Sequence, residues 1–150
     1  MSGSTFVYVA YIRATPQAVW SALTDANVMK QYWFGVHGES EWTAGASWRN
    51  VSPQGQVLDS GAIVAAEPPR HLAIRWQNQF KPELHAEGES LCRVELQPVE
   101  TATRLSITHT IERAPSKFIE AVSGGWPKVI SNLKSLLETG SAVLQDPYPN

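Results

Sequence analysis

Cysteine is nearly absent from this sequence: its 150 residues contain a single one, Cys92. A lone cysteine cannot form an internal disulfide, and it cannot supply the cysteine pair of a typical zinc finger. The composition therefore shows no sign of an oxidising compartment, and we expect a reduced, cytoplasmic location. The histidines His37, His71 and His85 show no metal-ligand spacing, so no metal site is predicted.

Long apolar runs and an excess of one charge are also missing. No stretch approaches the roughly 18 to 20 apolar residues that a membrane-spanning helix needs, and the N-terminal residues lack the pattern of a secretion signal. The formal net charge is -2 at pH 7, which gives no electrostatic reason to expect nucleic acid as a partner. We predict neither membrane insertion nor nucleic-acid binding.

The familiar motifs of cofactor binding and catalysis do not occur either. There is no glycine-rich phosphate loop, no serine nucleophile elbow and no paired-histidine zinc motif. Cys92 is predicted to point inward, and a buried thiol without a cationic neighbour is normally inert. We expect no cofactor. Six glutamates fall in predicted loops or solvent-facing positions, which predicts no catalytic carboxylate pair: Glu39, Glu41, Glu67, Glu83, Glu87 and Glu89.

What is present begins with a strand and two short helices. Residues 6–12 are β-branched and aromatic, which predicts a first strand. Thr15 and Pro16 then match the N-cap and first position of a helix that reaches about Leu23. Asp25 offers a second cap, for a short helix up to about Tyr32. Beyond it, glycines punctuate short strand candidates at Trp42, at 48–51 and at 57–58, with a hairpin turn at 53–55.

Three later strands show a clear alternation of apolar and polar residues. After a strand at 61–66, the inward positions are 72, 74 and 76, then 92, 94 and 96, and then 105, 107, 109 and 111. Such alternation is typical of an antiparallel sheet that has one apolar face. Residues 78–90 lack periodicity and are predicted to be a long connection.

The C-terminal segment changes to helical periodicity. Residues 116–138 carry a wide apolar stripe that includes Phe118, Val122, Trp126 and Ile130, which predicts a long packing helix ending near Gly140. Because glycines and a proline interrupt it at 124–127, we expect a break or bend near residue 125. The pattern predicts a single domain over residues 1–140, with 141–150 as a flexible tail.

These elements together predict an α+β fold. A curved antiparallel sheet of about six or seven strands would be covered by the long C-terminal helix, with the two short helices after the first strand. An apolar sheet face needs a cover, and only the last helix is long enough to provide it.

Seven segments in this order resemble a known group of proteins. They are FVYVAYIR (6–13), TPQAVWSALTD (15–25), QYWFG (31–35), PPRHL (68–72), TRLSITH (103–109), GGWP (124–127) and LKSLLETG (133–140). The chain resembles the SRPBCC (START/Bet v 1-like) superfamily, and within it the branch of heat-shock-protein ATPase activator homologues. The resemblance implies a helix-grip fold with a cavity between sheet and helix. It implies no shared catalytic set, because fold does not fix function.

Aromatic and apolar residues on the two facing surfaces are the candidate binding residues. Aromatic walls with few polar groups suit an apolar ligand. The predicted ligand-binding residues are Trp33, Trp48, Ile63, Ile74, Trp76, Val94, Leu96, Ile107, His109, Phe118, Val122, Trp126 and Ile130. His109 is the polar member of this set: it is either a structural core histidine or a group that orients a ligand or acts as a base.

Three functions remain open at this point. The first is a carrier or sensor that binds a small hydrophobic or aromatic molecule in the cavity. The second is an interaction protein with a chaperone as partner, which would use the outer surface. The third is a cyclase- or hydratase-like enzyme that uses His109. The pattern indicates neither the ligand identity nor the oligomeric state.

Overall fold

The computed structural model describes residues 3–146, which form one sheet and four helices within that range. In chain order the elements are β1 (Ser4–Ile12), α1 (Pro16–Thr24), α2 (Ala26–Tyr32), β2 (His37–Ser40), β3 (Ser47–Val51), β4 (Val57–Glu67), β5 (His71–Asn78), α3 (Pro82–His85), β6 (Ser90–Val99), β7 (Ala102–Ile111) and α4 (Lys117–Thr139).

The sheet has seven strands in the order β1-β7-β6-β5-β4-β3-β2. Every neighbouring pair is antiparallel, and β1 and β2 form the two edges. Helix α4 packs on β1 and β7 and also contacts α2 and α3. The predicted α+β helix-grip fold, with its long C-terminal helix and two short helices after the first strand, is confirmed.

The two short helices begin where the sequence predicts. The Thr15 hydroxyl accepts a hydrogen bond from the backbone N–H of Ala18 at 3.1 Å, and Pro16 occupies the first helical position. The Asp25 carboxylate accepts from the N–H groups of Asn27 and Val28. Each cap satisfies helix N–H groups that have no partner inside the helix, which fixes where the chain turns.

Trp42 was expected in a strand, and this prediction was wrong. It has φ of 57° and lies between strands, while a short strand that the sequence did not suggest, β2, forms over His37–Ser40. The candidates at 57–58 and 61–66 are one long strand, β4, with a register shift between Ile63 and Ala65. Gly61 does not end it, because glycine is needed there for close approach: a Cβ would lie 1.7 Å from the Arg75 carbonyl oxygen.

Helix α4 is continuous over Lys117–Thr139, so a break near Gly125 was wrong, and the alternative of a bend there stays a prediction. The helix runs from its Ser116 cap, whose hydroxyl accepts from the Ile119 N–H, to Gly140, whose φ of 92° ends it. Phe118 and Ile119 are buried before the glycines, and Trp126, Val129, Ile130 and Leu133 are buried after them. Because packing on both sides holds the segment, tertiary contacts outweigh the low helix propensity of its glycines and proline.

The described residues that follow α4, up to residue 146, lie against the helix. The Asn132 side chain accepts hydrogen bonds from the backbone N–H groups of Val143 and Leu144 and donates one to the Leu144 carbonyl. Asn132 is 1% exposed, so these bonds satisfy a buried amide. The expectation of a flexible tail concerns 141–150, of which residues 147–150 lie outside the described part.

The core lies between the inner sheet face and α4, as the alternation predicted. The inward residues of β5, β6 and β7 are buried, and so are those of α4; the most enclosed include Cys92, Leu105, Ile107, Ile130 and Leu133. On the opposite face of β7, every second residue from Arg104 to Thr110 is half-buried. This arrangement places the N-terminal half of α4 over the ends of β4 and β5, where the candidate site lies.

Candidate functional site

Within the described part of the chain, two neighbouring spaces lie between the sheet and α4, and both are lined by Trp33, Trp76 and Trp126. The larger, which we call the mouth pocket, has a volume of about 180 Å³. The smaller, which we call the inner void, has about 30 Å³. The mouth pocket is lined by residues of α2, β4, β5, the α3 region and α4, namely Trp33, Asp59, Trp76, Asn78, Phe80, Lys81, Leu84, Phe118, Ala121, Val122, Gly125, Trp126 and Val129.

The structure brings together part of the predicted binding set. Those that line the mouth pocket are Trp33, Trp76, Phe118, Val122 and Trp126. Those that line the inner void are Trp33, Trp48, Ile74, Trp76, Val94 and Trp126. The others line neither space and are buried in the core, namely Ile63, Leu96, Ile107, His109 and Ile130.

A tryptophan cluster lies beside both spaces. The ring centroids of Trp48 and Trp76 are 4.6 Å apart, and those of Trp33 and Trp126 are 5.2 Å apart in an edge-on arrangement. Trp76 and Trp126 are 5.8 Å apart, also edge-on. These are ordinary distances for packed aromatic pairs. Because the indoles contact one another, the deep cavity that the resemblance implied is reduced to the inner void, and most of the accessible space lies at the mouth.

His109 is enclosed by this cluster and has hydrogen-bond partners at both ring nitrogens. The Trp126 indole N–H donates to Nδ1 at 3.2 Å, so Nδ1 is an acceptor and Nε2 carries the proton. Nε2 lies 2.9 Å from the Ser90 hydroxyl, which donates in turn to the Trp76 carbonyl. Burial lowers the pKa of His109 to about 3. A neutral imidazole with both nitrogens engaged and no exposed surface is a structural group, and this geometry does not favour acid–base catalysis by His109.

A row of buried polar residues crosses three strands at the mouth pocket, and sequence reasoning missed it. Asn50 of β3 pairs with Asp59 of β4, and Asp59 pairs with Asn78 of β5. All three are at most 8% exposed. The signal was present, because Asp59 is in phase with the apolar Ile63 and Asn50 with Trp48, which places all of them on the inner face.

The carboxylate of Asp59 is the unusual member of the row. Burial raises its pKa from an ordinary 3.8 to about 6, although interactions with the Trp76 indole N–H and the Asn50 amide act in the opposite direction. No ion pair among residues 3–146 includes Asp59. A buried carboxyl group without a cation, in a concave site, is a recognised indicator of function.

Two polar atoms beside Asp59 lack well-formed hydrogen bonds. The indole Nε1 of Trp76 and the amide Oδ1 of Asn50 are buried, and neither has a partner of good geometry among the described residues. Trp76 Nε1 is close enough to Asp59 to lower its pKa, but the two groups do not make a hydrogen bond of good geometry. Buried polar groups are normally satisfied, so each unsatisfied one needs a reason. Both residues line the inner void, and Trp76 also lines the mouth pocket.

The rim of the mouth pocket is held by two side chains. The Asn78 amide oxygen accepts from the backbone N–H groups of Phe80 and Lys81, which positions these two residues over the pocket. Glu87 accepts from the Ser116 hydroxyl at 2.6 Å and from the N–H of Lys117 at 2.8 Å, at the start of α4. Although burial acts in the opposite direction, these bonds hold the pKa of Glu87 below its usual value. Glu87 thereby fastens α4 to the segment that carries α3.

Other features of the described residues offer less. Burial raises the pKa of the Cys92 thiol, which makes it unreactive. No group of three or more histidine, cysteine or acidic residues within 3–146 is arranged to hold a metal ion. No helix in that range has the length and apolar character needed to cross a bilayer. Two larger grooves, of about 500 and 650 Å³, lie on the outer sheet face among charged side chains such as Arg75, Glu89 and Arg49.

The sequence of the chain matches a known protein family. The family model described as "Activator of Hsp90 ATPase homolog 1-like protein" matches residues 13–138. No curated protein sequence matches the chain.

Solved structures share the fold. CalU16 from Micromonospora echinospora is 22% identical, with a TM-score of 0.72 over 92% of this chain and 78% of that one. The Aha1 protein from Colwellia psychrerythraea, solved as a dimer, is 18% identical with a TM-score of 0.74 over 91% and 98% of the two chains. An HSP90 activator from Plasmodium falciparum is 21% identical with a TM-score of 0.72 over 89% and 95%.

Proposed function

The chain belongs to the activator of Hsp90 ATPase homolog 1-like family, and within that family we propose that it binds a small aromatic molecule in the mouth pocket. The observation that carries the proposal is a pocket of about 180 Å³ whose lining combines aromatic rings with a buried carboxylate. Concave apolar sites with a few convergent polar groups are where proteins most often bind small molecules.

The size of the pocket limits the ligand. Typical sites for drug-sized molecules measure roughly 300–1,000 Å³, and the mouth pocket is smaller than that range at about 180 Å³. The inner void adds only about 30 Å³. We therefore expect a ligand with one or two rings rather than a long lipid, with its ring against the faces of Trp33, Phe80 and Trp126.

A variant that fills the pocket tests this proposal. Ala121 lies on α4 and lines the mouth pocket, so Ala121→Phe should occupy the space and abolish binding. Ser131→Phe adds the same ring at an exposed position of α4 and serves as the matched control. Binding of benzyl alcohol would be measured by saturation-transfer NMR, and native mass spectrometry of freshly purified protein would look for a retained molecule. Equal binding by both variants would contradict the proposal.

A second function, interaction with a chaperone, is favoured by the dense interior. The indoles of Trp48 and Trp76 are in contact, and the space enclosed among the tryptophans is reduced to the inner void of about 30 Å³. A protein that acts through its surface needs no cavity there, and the matched family is described by an Hsp90 activator. The test is whether the purified chain changes the ATPase rate of an Hsp90. An unchanged rate, with no complex detected at micromolar concentrations, would exclude this role.

A further inference from the structure

The charge inside the mouth pocket indicates what kind of group a ligand brings to it. Among the described lining residues Asp59 is the carboxylate, and it is 8% exposed. Its pKa is set by burial and by neutral donors, the Trp76 indole and the Asn50 amide. Neutral donors compensate a buried negative charge only in part, so a cation that enters the pocket would gain more there than in water.

The chain's own cation at the rim does not fill this role. Lys81 lines the pocket, yet its side chain is exposed and its Nζ lies 5.7 Å from the centroid of the Phe80 ring. No ion pair between Lys81 and Asp59 is present among the described residues. The Lys81 ammonium group lies instead over the Phe80 ring, within the distance of a cation–π contact.

The walls favour a cation as well. The aromatic rings lining the pocket are those of Trp33, Trp76, Phe80, Phe118 and Trp126. The face of an aromatic ring is negative, and it attracts ammonium groups most strongly where water is excluded. An anion would be repelled both by these negative ring faces and by the Asp59 carboxylate. A neutral ring would pack well but would leave the carboxylate unpaired.

We infer that the mouth pocket takes a small aromatic amine, whose ammonium group pairs with the Asp59 carboxylate while its ring packs against the tryptophans. This inference rests on the proposed function and adds the charge and class of its ligand. The Trp76 N–H has no hydrogen-bond partner of good geometry among the described residues, so it is available to a ligand or to the carboxylate.

A panel of three probes with the same ring and different charges tests the inference. Benzylamine is a cation, benzyl alcohol is neutral and benzoate is an anion at pH 7.5. Their dissociation constants would be measured by NMR titration of the full chain. We expect benzylamine to bind at least about tenfold more tightly than benzyl alcohol, and benzoate to bind most weakly.

Two variants show whether Asp59 causes the preference. Asp59→Asn keeps the shape of the side chain and removes its charge, so the ratio of the two affinities should fall to about threefold or less. Lys81→Met removes the rim cation, and it should keep or increase the preference for benzylamine. Circular dichroism of each variant checks that the fold is intact.

The pH dependence gives an independent readout. Benzylamine stays protonated from pH 5 to 8, whereas Asp59, with a pKa of about 6, loses its charge at the acidic end. Benzylamine affinity should therefore fall below about pH 6 in the native protein and stay flat in Asp59→Asn. Of the other residues that line the pocket, Lys81 is charged, and α4 contributes apolar residues to it. The charged or titratable groups on the neighbouring α3 segment are Glu83, His85, whose Nδ1 lies 3.0 Å from the Asn78 carbonyl oxygen, and Glu87, which bonds Ser116 and Lys117 at the start of α4.

Each result has a defined meaning. Equal affinity for benzylamine and benzyl alcohol, unaffected by Asp59→Asn, would overturn the inference and leave the proposed function standing. Preference for benzoate, lost in Lys81→Met, would overturn it in favour of an anion site. Binding of none of the three probes would overturn both the inference and the proposed function.

Discussion

Replacing Asp59 by asparagine is predicted to stabilise the protein at neutral pH and to leave its stability in acid nearly unchanged. The amide has almost the shape of the carboxylate and can keep its oxygen beside the Asn50 amide and the Trp76 indole N–H. It cannot ionise, so it avoids the cost of a buried charge. The substitution therefore isolates the electrostatic part of the Asp59 environment.

The magnitude follows from the two pKa values. In the folded protein burial raises the pKa of Asp59 from 3.8 to about 6, a difference that corresponds to about 3 kcal/mol. Because the folded-state pKa is raised, the contribution of Asp59 to stability is fully present below pH 3.8 and is lost as the pH rises through 6. Above that pH, Asp59→Asn should be more stable than the native chain by up to about 3 kcal/mol.

Urea unfolding followed by far-ultraviolet circular dichroism, at pH 4, 5, 6, 7 and 8, measures this difference. The exposed Glu95 of β6 provides a control, since Glu95→Gln should change the free energy of unfolding by less than about 0.5 kcal/mol. If Asp59→Asn is no more stable than the native chain at pH 8, or if its advantage is the same at pH 4, the reasoning about this buried carboxylate is refuted.

Three other substitutions test how the site is held. Glu87→Ala should cost about 1–2 kcal/mol at pH 7, because the start of α4 loses its acceptor, and urea titration should show this cost disappearing in acid, where the low-pKa carboxylate is protonated. Gly61→Ala should lower the free energy of thermal unfolding by more than about 3 kcal/mol, since its Cβ would collide with the Arg75 carbonyl. In the matched control Gly124→Ala the Cβ meets open space, and the change should stabilise the helix by up to about 1 kcal/mol. His109→Phe should cost about 1–3 kcal/mol, because it leaves the Trp126 N–H without its acceptor. Between pH 6.5 and 3 the variant should lose less stability than the native chain, because in the native chain the unfolded state binds a proton that the buried imidazole does not. An unchanged acid sensitivity of unfolding would contradict a neutral, buried His109.

The fold was predictable because local patterns and long-range packing agree along most of the chain. Thr15 and Asp25 mark helix starts by their side chains alone, and both caps form. Alternation in β5, β6 and β7 identifies the inner face correctly. Each of these signals lies within one element, and the apolar face of the sheet has one helix long enough to cover it.

The errors have a common physical cause, which is packing against a distant element. Trp42 adopts a left-handed conformation between strands and packs on the core from there, and the sequence around it gives no sign of this contact. The glycines at 124–125 remain helical because the residues on both sides are buried. The sequence of one segment does not show how tightly another segment packs against it.

The candidate site was predictable only in part, for the same reason. The tryptophans were expected on the inner face, but their mutual contacts, which reduce the cavity, depend on rotamers and on the spacing of four elements, α2, β3, β5 and α4. His109 was expected to face inward and does so, yet its two hydrogen-bond partners come from β6 and α4. Asp59 could have been found, because it alternates in phase with Ile63 on β4.

Chemical-shift mapping of the indole N–H groups tests the central claim, ligand binding at the mouth pocket, most directly. The chain has six tryptophans, of which Trp33, Trp76 and Trp126 line the pocket and Trp20 lines neither space. On titration with benzylamine or benzyl alcohol, we predict saturable shifts for Trp33, Trp76 and Trp126, with the Trp76 signal moving most and Trp20 unchanged. Stationary signals from all three, or shifts no larger than that of Trp20, would contradict the claim.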